Sequence, residues 1–205
     1  MASLVKSLSS IPVRVHFDDG LEVEAAALLD LLARQHADGL VLAPGLRLRV
    51  GWTFLVLQET DGELVVCEPD YTGNPFQQLR SDVSTFLRVT ASHQWLAAML
   101  GVTPTEASFQ DKIIYAAGVF DAKRLYAERL PPNAEKNDSG WFYGYRDDDG
   151  DNSPQNLRAA GLYELLLRKP ILMQTTVLPA GCLVILEDDR IQDIVGADNQ
   201  SLPRR

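Results

Sequence analysis

The densest group of potentially reactive side chains lies in the C-terminal half of the chain. It consists of four aspartates: Asp147, Asp148, Asp149 and Asp151. Carboxylates packed this closely could hold a calcium ion, or could serve as acid and base in a hydrolytic reaction. A calcium loop of the EF-hand type needs glycine at its sixth position and glutamate at its twelfth. Starting at Asp147, those positions hold Asn152 and Arg158, and registering on Gly150 instead puts Tyr145 first and Asn156 twelfth. Both registers fail, so the run predicts a solvated acidic loop.

Other catalytic constellations are missing from the sequence. The three histidines, His16, His36 and His93, are scattered and show no metal-ligand spacing, which is typical of structural or surface positions. Cys67 and Cys182 form no C-x-x-C pair and are expected to be reduced, buried thiols. There is no serine-nucleophile elbow, phosphate-binding loop or dinucleotide fingerprint. The sequence therefore predicts a protein that is not an enzyme and uses no cofactor or metal.

Aromatic residues precede the acidic loop directly. Trp141, Phe142 and Tyr143 are consecutive, and Tyr145 follows after one glycine. Large rings beside dense negative charge favour a binding surface. In a strand, alternate side chains face opposite sides. We expect Trp141 to be in the core, and Tyr143, Tyr145 and the four aspartates to form a partner-binding surface.

A smaller acidic and aromatic cluster occurs in the first half of the chain. It consists of Glu68, Asp70 and Tyr71, at the end of a predicted strand. Such a cluster is more often a loop than a partner contact.

The stretch Asp138-Ser139-Gly140-Trp141, followed by aromatics, a glycine and acidic residues, resembles the motif of the bacterial immunity-protein 33 family, a domain of unknown function. Two strand-like runs before it (113–119 and 124–130) resemble that family's opening. A run at 157–168 resembles its helix, and one at 179–185 resembles its closing strand. The resemblance covers the C-terminal half. It departs from the family pattern at Tyr145-Arg146, where the family tends to have acidic residues.

This resemblance implies a structural role for Asp138, Ser139, Gly140 and Trp141, and it implies a function. Proteins of the family are inferred to neutralise toxins made by the same bacterium or its kin. The implied function is an immunity protein that binds a cognate toxin stoichiometrically and occludes its active cleft. Two alternatives stay open: a housekeeping interaction module without a toxin partner, and an enzyme with an unrecognised carboxylate site. A toxin gene beside the gene for this chain would favour the immunity function over both alternatives.

Charge and hydropathy narrow the choice of partners. The 205 residues carry a formal net charge of −9, with 46% hydrophobic and 23% charged residues, as in ordinary globular proteins. This balance excludes a typical nucleic-acid binder, which needs a basic patch, and suits a basic protein partner. No run reaches the roughly 18 apolar residues of a membrane span, and the N-terminus lacks an export signal. We expect a soluble, cytoplasmic protein.

The predicted elements alternate between helices and strands. Acidic residues at its start and Asp38-Gly39 at its end predict a helix over 21–37. Alternating apolar residues predict a strand over 46–56, and Asp61-Gly62 a hairpin turn into a strand over 64–68. Ser81-Asp82 favours a helix start, which leads to a helix over 83–100 that stops at Gly101.

Polar and turn-forming residues at 102–110 predict a subdomain boundary. The expected architecture is an α+β fold with short, mainly antiparallel strands and packed helices. It has two subdomains, residues 1–110 and residues 111–205, the second resembling the immunity protein.

Overall fold

The computed structural model describes residues 1–8, 11–146 and 150–202. The chain divides into two compact units, Met1–Ala91 and Ser92–Arg205, called here the first and second unit. Each unit is built on a mixed sheet with helices beside it, so the predicted α+β fold is confirmed. The division lies inside a helix, whereas the sequence predicted a boundary near residue 110.

The first unit contains six strands and α1, and α2 begins in it. The elements are β1 (Ala2–Leu8), β2 (Ile11–Phe17), α1 (Glu22–Ala37), β3 (Arg47–Val50), β4 (Thr53–Thr60), β5 (Glu63–Pro69), β6 (Leu79–Arg80) and α2 (Ser84–Leu100). The sheet order is β1-β2-β5-β4-β3, with β6 beside β5. Only the β2–β5 pairing is parallel among these strands.

Alternation along β2 explains why the first sheet has a covered face. Val13, Val15 and Phe17 are fully buried, while the residues between them are half-buried. Helix α1 contributes Leu28, Leu29 and Leu32 to the same apolar core. Residues three and four apart lie on one side of a helix, so this stripe packs against the sheet.

One predicted strand of the first unit is wrong. Residues 46–56 do not form a continuous strand, because Gly51 has a φ of +58° and reverses the chain there. The result is the β3–β4 hairpin, with Val50 opposite Thr53. The predicted turn at Asp61-Gly62 is confirmed, since Thr60 lies opposite Glu63. Strands β1 and β2 were not predicted.

The second unit starts with the C-terminal part of α2 and contains the second sheet. Its further elements are β7 (Lys112–Ala116), β8 (Arg124–Arg129), β9 (Asp138–Tyr145), β10 (Leu157–Gly161), α3 (Leu165–Arg168), the 3-10 segment Pro170–Val177, β11 (Leu183–Glu187) and β12 (Arg190–Val195). The sheet order is β10-β7-β9-β8-β11-β12. Here β7 and β9 are parallel and every other pairing is antiparallel.

The predicted helix over 157–168 is wrong in its first half. Leu157–Gly161 forms β10, which pairs with β7 at the edge of the sheet. Only Leu165–Arg168 is α-helical, after a 3-10 turn at Leu162–Glu164. The helix that the resemblance implied gives way to a strand here because β7 offers backbone hydrogen-bond partners along β10. Strand β12 was not predicted.

Within the part of the chain that the structure describes, no helix is long and apolar enough to cross a bilayer.

Candidate partner-binding surface

The D-S-G-W motif forms a bulge in β9. Lys112 lies opposite Asp138 and Ile114 opposite Phe142, so β9 advances four residues while β7 advances two. Gly140 has a φ of +78°, and a Cβ there would lie 2.1 Å from the carbonyl oxygen of Leu130. Only glycine allows that approach.

The polar side chains of the motif bond to the backbone around the bulge. Asp138 Oδ1 accepts from the Gly140 amide at 2.9 Å. Ser139 Oγ donates to the Lys112 carbonyl at 2.6 Å and accepts from the Trp141 amide at 3.2 Å. A bulge leaves ladder groups unpaired, and these bonds replace the lost partners. The contacts fit the structural role that the resemblance implied.

Trp141 and Tyr143 both face the interior of the second unit. Trp141 is 1% exposed and Tyr143 is 0% exposed, and their rings stack with centroids 6.0 Å apart. The expected core position of Trp141 is confirmed. The expected surface position of Tyr143 is wrong, because residues two apart in a strand share a face. Burial raises the pKa of the Tyr143 hydroxyl, which has no hydrogen-bond partner among the described residues.

Arg129 is a buried cation that we did not predict. It is 1% exposed, and its guanidinium lies 5.7 Å from the Trp141 ring. It donates to backbone carbonyls from separate segments of the second unit, those of Thr105, Ser139, Thr176 and Leu178. Burial lowers its pKa. The sequence signal for this burial was the alternation along the strand, since Arg129 follows the buried Leu125 and Ala127 at every second position.

The outward side of the second sheet carries a partly exposed apolar row. We call it the outward row; it consists of Ile114 on β7, Phe142 on β9, Tyr126 on β8 and Ile185 on β11, all partly exposed. Ile114 lies opposite Phe142, and Tyr126 opposite Ile185. The row therefore crosses four adjacent strands.

The two aromatics of the outward row contact each other. The ring centroids of Tyr126 and Phe142 are 5.8 Å apart. A Cβ on Gly144 would lie 2.7 Å from the Tyr126 ring and 2.8 Å from the Phe142 ring, so the glycine makes room for both. Aromatic rings that present one side to solvent are typical of interface anchors. Phe142 thus takes the outward place that we expected for Tyr143.

Tyr145 ends β9, and its position is fixed by the loop that follows. Its hydroxyl donates to the Ala117 carbonyl at 2.9 Å. Its amide donates to Asn152 Oδ1 at 2.7 Å, and Asn152 Nδ2 donates back to the Tyr145 carbonyl at 2.8 Å. The ring is partly exposed and borders an open hollow of about 390 Å³ that Lys123 also lines. The hydrogen bonds between Tyr145 and Asn152 therefore hold these two residues, which flank the acidic run, next to each other.

The acidic loop is only partly described. Asp151 is exposed, and hydrogen bonds from Ser153 lower the pKa of its carboxyl. Asp147, Asp148 and Asp149 lie outside the described residues. Among the residues that are described, no three histidine, cysteine, aspartate or glutamate side chains come together to hold a metal ion.

The cluster in the first unit is mostly buried. Tyr71 is 3% exposed and shares a 2.6 Å hydrogen bond with Thr53. Glu68 is 0% exposed; its Oε2 accepts from the Phe86 amide at 2.7 Å, while Oε1 lies 3.9 Å from Arg80 Nε. Burial raises the pKa of the Glu68 carboxyl to about 8, against the smaller opposing effects of that amide and of Arg80. These positions favour a structural role.

The two cysteines are free and buried, as expected. Burial raises the pKa of the Cys67 thiol to about 11, so this sulfur is a poor nucleophile.

The model of the Imm33-like domain matches residues 92–197. The chain belongs to the Imm33-like family. The matched region falls within the second unit and includes the D-S-G-W bulge, Arg129 and the outward row. The resemblance in the C-terminal half is therefore confirmed. Neither the curated proteins nor the solved structures include a significant match to this chain.

Proposed function

We propose that this Imm33-like chain is an immunity protein that neutralises a cognate bacterial toxin by stoichiometric binding. Family membership supports a protein partner. The observation that carries the proposal is the outward row, because a partly exposed apolar row with two aromatics is typical of a protein interface.

The mechanism would be occlusion. Phe142 and Tyr126 would supply the anchoring contacts, since few aromatic residues carry most of the energy in typical interfaces. A specific complex would cover about 800 Å² on each partner, enough to close an active cleft. No bond is made or broken in this mechanism.

The acidic loop would assist association. It follows β9, the strand that carries Phe142, and the whole chain has a net charge of −9. Asp151 and the three aspartates before it would attract a basic toxin surface and speed the encounter more than they deepen affinity, and Tyr145 beside them would contact the partner.

The test uses the product of a toxin gene adjacent to the gene for this chain. Co-expression with the chain should protect cells, and titration calorimetry should give one chain per toxin. The double variant Phe142→Ser and Tyr126→Ser should weaken binding by about 100-fold or more. Leu167→Ser is the matched control, since Leu167 is also an exposed apolar residue of the second unit at 57% exposure.

If the chain bound the toxin but did not protect cells, the immunity function would be excluded and the role of an interaction module would remain. Full protection by the double variant would exclude the outward row as the interface.

A further inference from the structure

One carboxylate lies among the residues of the outward row. Glu128 is partly exposed and follows Tyr126 by two residues on β8, so both side chains are on the outward side of the second sheet. Glu128 lies opposite Phe142 on β9 and opposite Leu183 on β11. Side chains that lie directly opposite each other on neighbouring strands are close enough to interact. Glu128 therefore stands beside both aromatic residues of the outward row.

The neighbours of Glu128 on this side are apolar or aromatic. Leu183 is partly exposed, and Leu130, which follows Glu128 by two residues, is 51% exposed. Burial raises the pKa of the Tyr126 hydroxyl, and the negative charge of Glu128 raises it further, as expected of close neighbours. We call Glu128, Tyr126 and Phe142 the Glu128 site.

Glu128 has no cation to balance its charge. Within the part of the chain that the structure describes, no ion pair includes its carboxylate. Cations on the outward side already lie opposite acidic residues, Arg124 opposite Glu187 and Lys112 opposite Asp138. The two residues opposite Glu128 are uncharged.

Asp193 is another carboxylate on this side, and it differs from Glu128. It lies opposite Ile185, and its Oδ2 accepts a hydrogen bond from Ser201 Oγ at 2.6 Å. Its Oδ1 accepts from the Ile194 amide at 2.9 Å. Asp193 thus has hydrogen-bond partners within the second unit, which leaves Glu128 as the better place for a partner's cation.

Covering the outward row has a consequence for Glu128. A carboxylate that loses its water is strongly destabilised unless a positive group replaces the water. A partner that docks on the outward row with apolar groups alone would leave this charge unpaired. A partner that places a cation there would gain both the contact and the selectivity.

Arginine fits the Glu128 site better than lysine. A guanidinium is planar, stacks on aromatic rings, and matches a carboxylate with two parallel N–H groups. The ring centroids of Tyr126 and Phe142 are 5.8 Å apart, and Glu128 is adjacent to both residues. One guanidinium can therefore contact a ring and the carboxylate together.

We propose that the Glu128 site binds an arginine side chain of the toxin, with the guanidinium stacked against the Tyr126–Phe142 pair and bonded to the Glu128 carboxylate. This inference rests on the proposed function and names the toxin group that the outward row selects.

The first test measures binding of the toxin from the adjacent gene to Glu128→Gln, which keeps the shape of the side chain and removes its charge. Affinity should fall at least about tenfold, mainly through faster dissociation. The loss should persist at high salt, because a covered ion pair is screened little. A melt of the variant beside the wild type shows that it is folded.

Glu106→Gln is the matched control, since it removes the same charge from an exposed residue of the second unit. Glu106 follows Thr105, whose carbonyl accepts from the buried Arg129, so it is not part of the outward row. Its loss should leave the dissociation rate unchanged.

The second test is an alanine scan of the toxin's arginines. One substitution should weaken binding as much as Glu128→Gln does, and the two together should weaken it no further. Reversing both charges, with Glu128→Arg in this chain and that arginine changed to glutamate, should restore part of the lost affinity. A misfolded variant could not regain binding in this way.

A toxin that binds Glu128→Gln as tightly as the wild type, while Phe142→Ser and Tyr126→Ser weaken it, would overturn this inference and leave the proposed function standing. A scan in which no arginine matters, or fully additive losses, would do the same. If the wild type does not bind the toxin, or if the double serine variant binds it fully, the proposed interface fails and this inference fails with it.

Discussion

Side-chain direction decides the role of each aromatic residue in the D-S-G-W-F-Y-G segment. Trp141 and Tyr143 lie in the core and Phe142 faces outward. Chemically similar neighbours thus divide between the core and the outward side of the sheet according to strand parity. The buried Arg129 satisfies backbone carbonyls of several segments through Nε and Nη1 of its planar guanidinium.

Trp141→Ala should lower the free energy of unfolding by about 3–5 kcal/mol, because it removes a fully buried ring and leaves a cavity. Trp95→Ala is the matched control: its ring is 59% exposed, so its loss should cost little. Denaturant unfolding of both variants measures the difference. Equal losses would contradict the assignment of Trp141 to the core.

Glu68 should make stability depend on pH. Its pKa in the folded chain is about 8, above the ordinary value of 4.5, so folding favours the protonated form. The stabilisation is complete below pH 4.5 and is lost as pH rises through 8. Relative to Glu68→Gln, the wild type should lose a few kcal/mol of unfolding free energy across this window, at ~1.4 kcal/mol per pKa unit.

Denaturant unfolding at a series of pH values checks this for both proteins. Parallel curves would mean that Glu68 is ionised in the folded state and is neutralised by Arg80.

At the scale of elements, the β9 bulge is the feature that the motif specifies. The residues from Asp138 to Trp141 hold the strand in a bulge that regular pairing with β7 would not produce. Because the bulge adds two residues, it leaves unchanged which of the later residues of β9 face inward.

Gly140→Ala should destabilise the second unit by at least about 3 kcal/mol, from the positive φ together with the clash against the Leu130 carbonyl. Gly62→Ala is the control. Gly62 has a similar φ of +80° with nothing within 4 Å of the added carbon, so only the backbone cost of about 1 kcal/mol applies. Thermal and denaturant melts compare the two, and similar losses would argue against a tight approach at the bulge.

At the scale of the whole molecule, the net charge of −9 would favour the encounter with the basic toxin proposed above. The excess is shared by both units, while the acidic loop concentrates four carboxylates after β9. Local density of charge affects association rate, and exposed like charges add little to stability.

Replacing Asp147, Asp148, Asp149 and Asp151 with asparagine should leave the melting temperature unchanged or slightly higher, because repulsion is relieved. Association with a basic toxin should slow by about tenfold at low salt. The salt dependence should flatten, since the steering charge is gone. Stopped-flow association at low and high salt, beside a melt of each protein, provides the measurement. An unchanged low-salt rate would remove the loop from the encounter, and a collapsed melt would show that the aspartates support the fold.

The sequence by itself determined the features that depend on local chemistry. Helix α1, the stop of α2 at Gly101, and the Asp61-Gly62 hairpin follow from caps, periodicity and positive φ. The D-S-G-W motif indicated the family, and the place of Trp141 in the core followed from its setting. These signals lie within a few residues of the structure that they specify.

Tertiary structure decided what depends on distant partners. Leu157–Gly161 is a strand because β7 is there to pair with it, and Gly51 separates β3 from β4 within one alternating run. The inward direction of Tyr143, the burial of Arg129, and the outward row all depend on which side of the second sheet is covered. Strand alternation indicates that two faces exist, but only packing of the whole unit determines which face is buried.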